Sequence, residues 1–308
     1  MRAARLTLGP LLFNWPAERV ADLYRRIADE APVDGVVLGE VVCAKRPVPA
    51  RALAEAVERL ERAGKEVVFA TLALVMQPRE RRTLRELVEQ ADRRIEANDA
   101  TALALLRGRP HLVGPYVGVY NEAALAVLAA GGAHRVCLGP ELSLDMIGRL
   151  AAAALSLPDM ALEVVAFGRL PLAISARCYH ARAHGLHKDG CRFVCGRDPD
   201  GLAVDTLDGE PFLAVNGVQV LSGTHASLMR DLPALRMAGI DRFRLSPHSG
   251  DMVAVAELFR AALDGRIDPA EGQRRLASAF PEARFANGFL QGGAGKFWLD
   301  QRAAATVG

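Results

Sequence analysis

The stretch Asp34-Gly-Val-Val-Leu-Gly39 begins the pattern that decides the fold. Its three central apolar residues do not alternate with polar ones, which is typical of a strand buried on both faces. A helical stretch follows over Ala50–Ala63, where apolar residues recur about every 3.6 positions, and a second apolar strand comes next over Glu66–Thr71. This strand–helix–strand order predicts parallel βαβ units.

The same alternation continues along the whole chain. We predict strands at Arg5–Gly9, Asp34–Gly39, Glu66–Thr71, His111–Val119, Arg135–Gly139, Ala161–Gly168, Val218–Ser222 and Arg242–Ser246. We predict helices at Ala17–Glu30, Ala50–Ala63, Glu80–Ala97, Glu122–Ala130, Ser143–Ala154, Thr224–Met237 and Asp251–Leu263. About eight strands predict an α/β fold, a (β/α)8 TIM-barrel-like single domain over residues 1–308. An open doubly wound sheet is the alternative.

One segment breaks this rhythm. Leu170–Gly217 is rich in Arg, His, Cys, Gly and Asp, and we expect it to be an insertion after the sixth predicted strand, Ala161–Gly168. It ends in a predicted hairpin, with Leu202–Thr206 and Phe212–Val215 around the turn Asp208-Gly209. A long irregular excursion of this kind within an α/β domain is usually functional or disordered, and its three cysteines favour function.

Composition excludes several functional classes. The 38 basic and 36 acidic residues give a net charge of +2, so we expect no nucleic-acid or anionic-membrane partner. No run reaches the roughly 20 apolar residues of a transmembrane helix, and Leu6–Phe13 is a poor signal-peptide core. We therefore expect a cytoplasmic protein. Five cysteines in such a chain favour metal or redox chemistry over disulfides.

Three of the cysteines have a spacing suited to ligands. Twelve residues separate Cys178 from Cys191, and three separate Cys191 from Cys195. Iron–sulfur clusters normally require four thiolates, and Cys43, just beyond a predicted strand, is the natural fourth ligand. Loops that follow strands of one barrel emerge at the same C-terminal rim, so this topology would bring the four cysteines together.

Two other interpretations of the cysteines remain open at this point. Three thiols could hold Zn²⁺, with a histidine of the same excursion completing the tetrahedron: His180, His184 or His187. They could also be inert buried thiols. Cys137 lies inside the apolar run Val136-Cys137-Leu138, and we expect it to be a core residue.

Polar residues just past the strands are candidates for the active face of a barrel. These are Asn14, Glu40, Thr71, Asn121, Glu141, Arg169 and His248. Glu40 and Glu141 could act as acid and base if the fold brings them together, or could instead cap the following helices. Arg169 could balance the charge of a thiolate-bound cluster, bind an anion or form a simple salt bridge. His248 lies in a turn-rich loop and could face the pocket. The catalytic residues themselves stay unassigned.

The segment Glu163–Cys178, followed by Ala181–His184 and Lys188–Cys191, resembles the U32 peptidase-like superfamily, and within it the UbiV branch of ubiquinone biosynthesis proteins. The likeness extends over essentially the whole chain. Flanking segments agree with it: Leu8–Trp15, Gly39–Cys43, Gly139–Leu142 and Leu245–His248.

This resemblance implies a U32-type barrel and a [4Fe-4S] cluster on four cysteines, which match Cys43, Cys178, Cys191 and Cys195. It further implies a heterodimer with a UbiU-like paralogue and an accessory lipid carrier of the UbiT type. The implied reaction is O2-independent hydroxylation of the polyprenylated aromatic ubiquinone precursor during anaerobic growth. This chain would be either the catalytic or the electron-transfer subunit.

The chain also departs from the wider superfamily. Many relatives carry a cysteine directly after the strand, where this chain reads Phe167-Gly-Arg-Leu-Pro171 and its thiol comes later, at Cys178. The additional C-terminal domain of longer relatives is not expected here. Both differences place the peptidase name in doubt and favour the UbiV-like branch, with a U32-type peptidase as an alternative.

Overall fold

Eight parallel strands close into a barrel in the computed structural model, which describes residues 3–90 and 92–300. The strands of this part of the chain are β1 (Arg5–Leu8), β2 (Gly35–Leu38), β3 (Glu66–Ala70), β4 (Arg94–Ala97), β5 (His111–Val113), β6 (Ala133–Cys137), β7 (Ala161–Ile174), β8 (Leu202–Asp205), β9 (Pro211–Asn216), β10 (Gln219–Ser227), β11 (Arg242–Leu245) and β12 (Phe285–Ala286). β1 to β7 follow one another around the ring, and β11 closes it by pairing in parallel with both β1 and β7. The predicted (β/α)8 TIM-barrel-like fold is confirmed.

Helices follow most of the barrel strands. They are α1 (Ala17–Asp29), α2 (Ala50–Arg62), α3 (Pro78–Val88), α4 (Ala100–Leu106), α5 (Glu122–Ala130), α6 (Leu144–Ala154), α7 (Tyr179–Ala183), α8 (Leu232–Met237), α9 (Met252–Leu263) and α10 (Pro269–Ala279). Each longer helix buries one apolar stripe against the barrel; in α1 this stripe includes Val20, Tyr24 and Ile27. None of the described helices has both the length and the apolar character needed to cross a membrane.

The main apolar layer lies between the strands and the helices, with charged residues inside the ring. Val36, Val37 and Leu38 of β2 are all buried, as their unbroken apolar run predicts. Inside the barrel, the Arg244 guanidinium of β11 donates hydrogen bonds to the carboxylates of Glu96 on β4 and Glu163 on β7. These three side chains are almost fully buried, so the ring is filled by an ionic network as well as by apolar packing.

The strand prediction was wrong in three places, one of them His111–Val119, where β5 ends at Val113 and a short helical turn follows over Pro115–Val117. The predicted helix Glu80–Ala97 ends at Val88, and its last residues form barrel strand β4. The predicted strand Val218–Ser222 belongs to β10, which runs antiparallel to β7 and lies outside the ring. The expected helix Thr224–Met237 is correspondingly shortened to α8, because β10 continues to Ser227.

The position of the insertion therefore needs correction. The cysteine-containing excursion follows the seventh barrel strand and not the sixth. The prediction counted one strand too few before it, because β4 lies within the segment predicted as the helix Glu80–Ala97. β7 continues six residues beyond Gly168, to Ile174, and pairs with β10, which returns from the excursion. Between these two strands, β8 and β9 pair as an antiparallel hairpin whose turn contains Asp208 and Gly209.

Candidate metal centre

Four cysteines come from two loops at the C-terminal end of the barrel. Cys43 lies on the loop after β2, and the other three lie on the excursion after β7. Cys178 is the N-cap of α7, where its sulfur accepts the backbone N–H of Ala181 at 3.4 Å. Cys191 and Cys195 lie on consecutive short turns, and Arg192 and Phe193 between them have left-handed backbone conformations. All four are free thiols.

The four sulfurs are close enough to influence one another electrostatically. Burial raises the pKa of the Cys178 thiol, and negative charge on the other three cysteines raises it further. Burial likewise raises the pKa of Cys195, and charges on Cys43 and Cys191 act in the same direction. Four thiolates in this arrangement repel one another, so their ionised forms require positive charge among them.

The spacing of the sulfurs separates two kinds of centre. Among the described residues, no three cysteine sulfurs lie within 4.8 Å of one another. A single zinc ion with Zn–S bonds of about 2.3 Å holds its sulfurs about 3.8 Å apart. A four-iron cluster is wider than a single ion and accepts more widely spaced thiolates. The four sulfurs are thus not arranged as the ligands of one zinc ion in this structure.

Arg46 provides a buried positive charge at these sulfurs. Its guanidinium donates hydrogen bonds to the Leu12 carbonyl at 2.6 Å and to Asn216 Oδ1 at 2.5 Å, and it also contacts the Cys195 sulfur. Burial lowers the pKa of Arg46, but negative charge on Glu40, Cys195 and Cys43 raises it more, so the net shift is upward. This arginine stays charged and stabilises thiolates beside it.

Glu40 organises the loop that carries Cys43. Its Oε1 accepts the backbone N–H groups of Val42 at 2.7 Å and Cys43 at 2.9 Å, and it lies 3.6 Å from Arg46. Glu40 therefore caps a loop and not a helix. Glu141 accepts the Tyr120 hydroxyl at 2.9 Å near the surface. The two glutamates follow β2 and β6, four strands apart in a ring of eight, so the fold places them on opposite sides of the barrel mouth.

Arg169 and His248 meet next to a further histidine that sequence reasoning did not identify. The backbone N–H of Arg169 donates to His248 Nε2 at 3.2 Å, and His248 Nδ1 donates to the Ser246 carbonyl at 3.0 Å. Burial lowers the pKa of His248 to about 4, so the ring is neutral. The ring of His225 lies 4.6 Å from that of His248, and burial, followed by the effects of His248 and Arg169, lowers its pKa to about 2.

The Arg169 side chain also binds backbone groups of the protein. Its Nη1 donates to the carbonyls of Ser222 and Gly223 on β10. Arg169 and His248 consequently join β7, β10 and the loop after β11. Among the other candidates, Asn121 caps α5 and Thr71 accepts the Asn98 backbone N–H. Asn14 packs against Gly196, next to Cys195.

A family comparison identifies the chain. The family model described as peptidase family U32 matches residues 16–299. The chain belongs to peptidase family U32.

Three solved structures are among those similar to this U32 chain. The phospho-2-dehydro-3-deoxyheptonate aldolase of Thermotoga maritima is 11% identical, with a TM-score of 0.42, over 91% of this chain and 71% of that one. A putative dihydrodipicolinate synthase family protein from Coccidioides immitis is 11% identical, with a TM-score of 0.39, over 89% and 77%. Mycobacterium tuberculosis tryptophan synthase is 16% identical, with a TM-score of 0.34, over 63% and 90%. Similarities this low carry no functional argument.

A chain of polar side chains leads from the cysteines of the U32 chain into the barrel mouth. Asn216, which accepts from Arg46, donates to Gln219 Oε1 at 3.2 Å, and Gln219 Nε2 donates to the Tyr116 hydroxyl at 2.7 Å. Desolvation raises the pKa of Tyr116, so its hydroxyl keeps its proton. Sequence reasoning missed Arg46, Asn216, Gln219 and Tyr116, because no spacing rule relates residues up to 170 positions apart.

A cavity of about 460 Å³ lies beside the Cys43 loop. Its wall is mostly apolar, with Val48, Phe69 and Leu72 among its residues, and Glu40, Thr71 and Arg79 add polar groups. Small-molecule sites have this size and this mixture of an apolar wall with a few polar groups.

Proposed function

We propose that this U32 chain is the iron–sulfur subunit of an O2-independent hydroxylase that acts on the polyprenylated ubiquinone precursor ring, as in the UbiV branch. It works in the cytoplasm as a heterodimer with a UbiU-like paralogue and receives its lipid substrate from a UbiT-like carrier. The observation that supports the proposal is that four thiols from two separate loops are near enough to affect one another's charge, with the buried Arg46 beside Cys195 and Cys43.

The donor set supports a [4Fe-4S] cluster held by Cys43, Cys178, Cys191 and Cys195. Four thiolates are the usual ligands of such a cluster, and their spacing is wider than a single zinc ion requires. When bound, the cluster would supply one-electron transfer. Cys178 and Cys195 are buried, so these ligands keep water away from their side of the centre.

The surrounding residues of the chain have distinct positioning roles. Arg46 offsets the negative charge of the thiolates and, through Asn216 and Gln219, connects the centre to the Tyr116 hydroxyl. Glu40 holds the Cys43 loop through its two backbone hydrogen bonds. These contacts keep the ligands oriented independently of any substrate.

The cavity beside the Cys43 loop supports an aromatic substrate. Apolar side chains such as Val48 and Phe69 suit a ring, while Thr71 and Glu40 offer hydrogen-bonding groups for its substituents. A long polyprenyl tail exceeds a volume of about 460 Å³, which agrees with a role for a carrier or partner that shields the tail.

The test is anaerobic purification followed by iron and sulfide analysis. We expect brown protein with about four irons and four sulfides per chain. Cys191→Ala should lose most of this iron, while the matched control Cys137→Ala should keep it, because Cys137 is buried in the barrel wall away from the four-cysteine centre. A strain with Cys191→Ala should also stop making quinone anaerobically. Full iron content in that variant, or normal quinone in that strain, would contradict the proposal.

The family name favours one second function, a peptidase. A peptidase would cleave a defined protein substrate in the presence of chelators and in the Cys191→Ala variant. Specific cleavage that persists under both conditions would favour the peptidase function. The absence of cleavage by iron-loaded protein would favour the hydroxylase function.

A further inference from the structure

A second group of potential ligands lies in the same excursion but contains no cysteine. The ligand atoms of His180, His184 and Asp198 all lie within 4.8 Å of one another. His180 is in α7 and His184 ends this helix, four positions later, where side chains share one helix face. Asp198 directly follows the turn that carries Cys195.

The ring contacts of His180 are compatible with a cation at this group. Its Nδ1 lies 3.1 Å from the Val215 carbonyl oxygen, and its Nε2 lies 2.9 Å from Asp198 Oδ2. A neutral imidazole carries one proton, so it can donate to only one of these two oxygens. With Nδ1 donating to the carbonyl, the Nε2 lone pair faces the Asp198 carboxylate, and both can then bind a shared cation.

A metal ion between His180 and Asp198 would satisfy both groups. Histidines that bind metals commonly donate their other ring N–H to a backbone carbonyl, which is the contact that His180 makes with Val215. Zinc bonds of about 2.0–2.1 Å separate tetrahedral N and O ligands by about 3.3 Å. The distance of 2.9 Å between His180 and Asp198 needs an adjustment of only a few tenths of an ångström.

His184 completes the group from the solvent side. Its ring is stacked on that of His180, with centroids 5.7 Å apart and planes inclined by 21°, and its residue is exposed. Two histidines four positions apart on a helix are a common zinc-binding arrangement. Two nitrogens and one carboxylate oxygen leave a fourth position for water.

We propose that His180, His184 and Asp198 form a second metal site, for a single divalent ion such as Zn²⁺, separate from the four-cysteine centre. The ion ties α7, whose N-cap is Cys178, to the segment that follows Cys195. It therefore fixes two of the cysteines relative to each other without binding either sulfur.

The experiment uses the full-length, iron-loaded protein, to which one equivalent of Zn²⁺ is added before desalting. We expect one zinc per chain, and X-ray absorption at the zinc edge should show only nitrogen and oxygen neighbours at about 2.0 Å, with no sulfur at about 2.3 Å. His184→Ala and Asp198→Asn should each lower zinc retention at least tenfold. Zinc should also raise the thermal midpoint of the wild type but not that of His184→Ala.

The control is His187→Ala, which removes an exposed histidine of the same segment and should leave zinc retention unchanged. The iron content of His184→Ala should match the wild type, which distinguishes this site from the cysteine centre. Three results would overturn the proposal: zinc with sulfur neighbours, no zinc retained by the wild type, or zinc retention in His184→Ala and Asp198→Asn equal to that of the wild type.

Discussion

Arg244→Met tests the ionic network inside the barrel. In the wild type, Arg244 donates to the carboxylates of Glu96 and Glu163, whose side chains are 1% and 0% exposed. Methionine has a similar length but no charge, so the variant leaves two buried carboxylates without their shared cation. Removing one partner of a buried ion pair costs about 3–5 kcal/mol, and we expect at least this loss of unfolding free energy.

This loss converts into a measurable change of the thermal midpoint. Unfolding entropy is about 2.1 cal/mol/K per residue, which gives about 650 cal/mol/K for 308 residues. Each 1 kcal/mol therefore lowers the midpoint by about 1.5 °C, and Arg244→Met should unfold about 5–8 °C earlier by calorimetry at pH 7. A second change, Glu163→Gln, should recover part of the loss in the Arg244→Met background, although it destabilises the otherwise wild-type chain.

The pH dependence of the unfolding free energy lost in Arg244→Met (the deficit) provides an independent check. Burial raises the pKa of Glu163, but the charges of Arg244 and Arg135 lower it more, so the net shift in the wild type is downward. Its contribution is therefore present above the unfolded pKa of about 4.3 and is lost as the pH falls through the lower folded pKa. Without Arg244, burial raises the pKa, and the sign reverses, because stability is then lost as the pH rises above about 4.3. The stability lost in Arg244→Met should shrink between pH 7 and pH 5, by up to about 1.4 kcal/mol per pH unit for Glu163. A deficit below about 1 kcal/mol, or one independent of pH, would refute this reasoning.

Two further predictions concern the barrel and the centre. Gly114→Ala would place its Cβ 1.9 Å from Asn98 Oδ1, so we expect a loss of about 1–3 kcal/mol in denaturant unfolding. Gly148→Ala in α6, where a Cβ meets nothing within 4 Å, should instead be neutral or stabilise the chain by up to about 1 kcal/mol. Arg46→Gln removes the positive charge beside Cys195 and should lower the reduction potential of the iron-loaded protein. Arg46→Lys keeps a positive charge, so its reduction potential should lie closer to that of the wild type. Equal potentials in redox titrations of all three proteins would show that Arg46 has no electrostatic role.

The sequence was informative wherever burial leaves a local pattern. The apolar runs of β2 and β3 predicted parallel strands, and Cys43 was placed near the other three cysteines by the rule that barrel loops share one rim. β4 was missed because Arg94-Ile-Glu-Ala97 is short and its Glu96 looks like a helix-surface residue. That glutamate is buried because Arg244 pairs with it across 148 positions. No local pattern encodes such a partner.

β10 shows a second limit of local patterns. Gln219-Val-Leu-Ser222 has the composition of a strand and is one, but composition does not distinguish a barrel strand from an extension that pairs antiparallel with β7. Arg46 and Asn216 were missed for a related reason. Each is a common loop residue, and the role of each depends on contacts between the Cys43 loop and the end of β9.

Strand pairing fixes the two ends of the excursion. β7 and β10 pair from Phe167 with Ser227 as far as Ile174 with Gln219, so the barrel sets where the excursion begins and ends. Between these strands, residues 175–201 contain one short helix and two short turns, with Ala181, Val194 and Cys195 buried. One of the contacts to the Cys43 loop, from Lys45 to Asp189, involves an exposed carboxylate. Exposed ion pairs contribute about 0–1 kcal/mol.

The turn between Cys191 and Cys195 adds a cost to this segment. Arg192 and Phe193 have φ angles of 50° and 52°, and a left-handed conformation costs about 1–3 kcal/mol for each non-glycine residue. Phe193 is also substantially exposed, so burial of its ring offsets little of this strain. The conformation of this turn therefore needs a source of stability beyond its own backbone. Bonds from Cys191 and Cys195 to a shared centre would provide it, because metal binding and local folding are coupled wherever the ligands are not otherwise held in place.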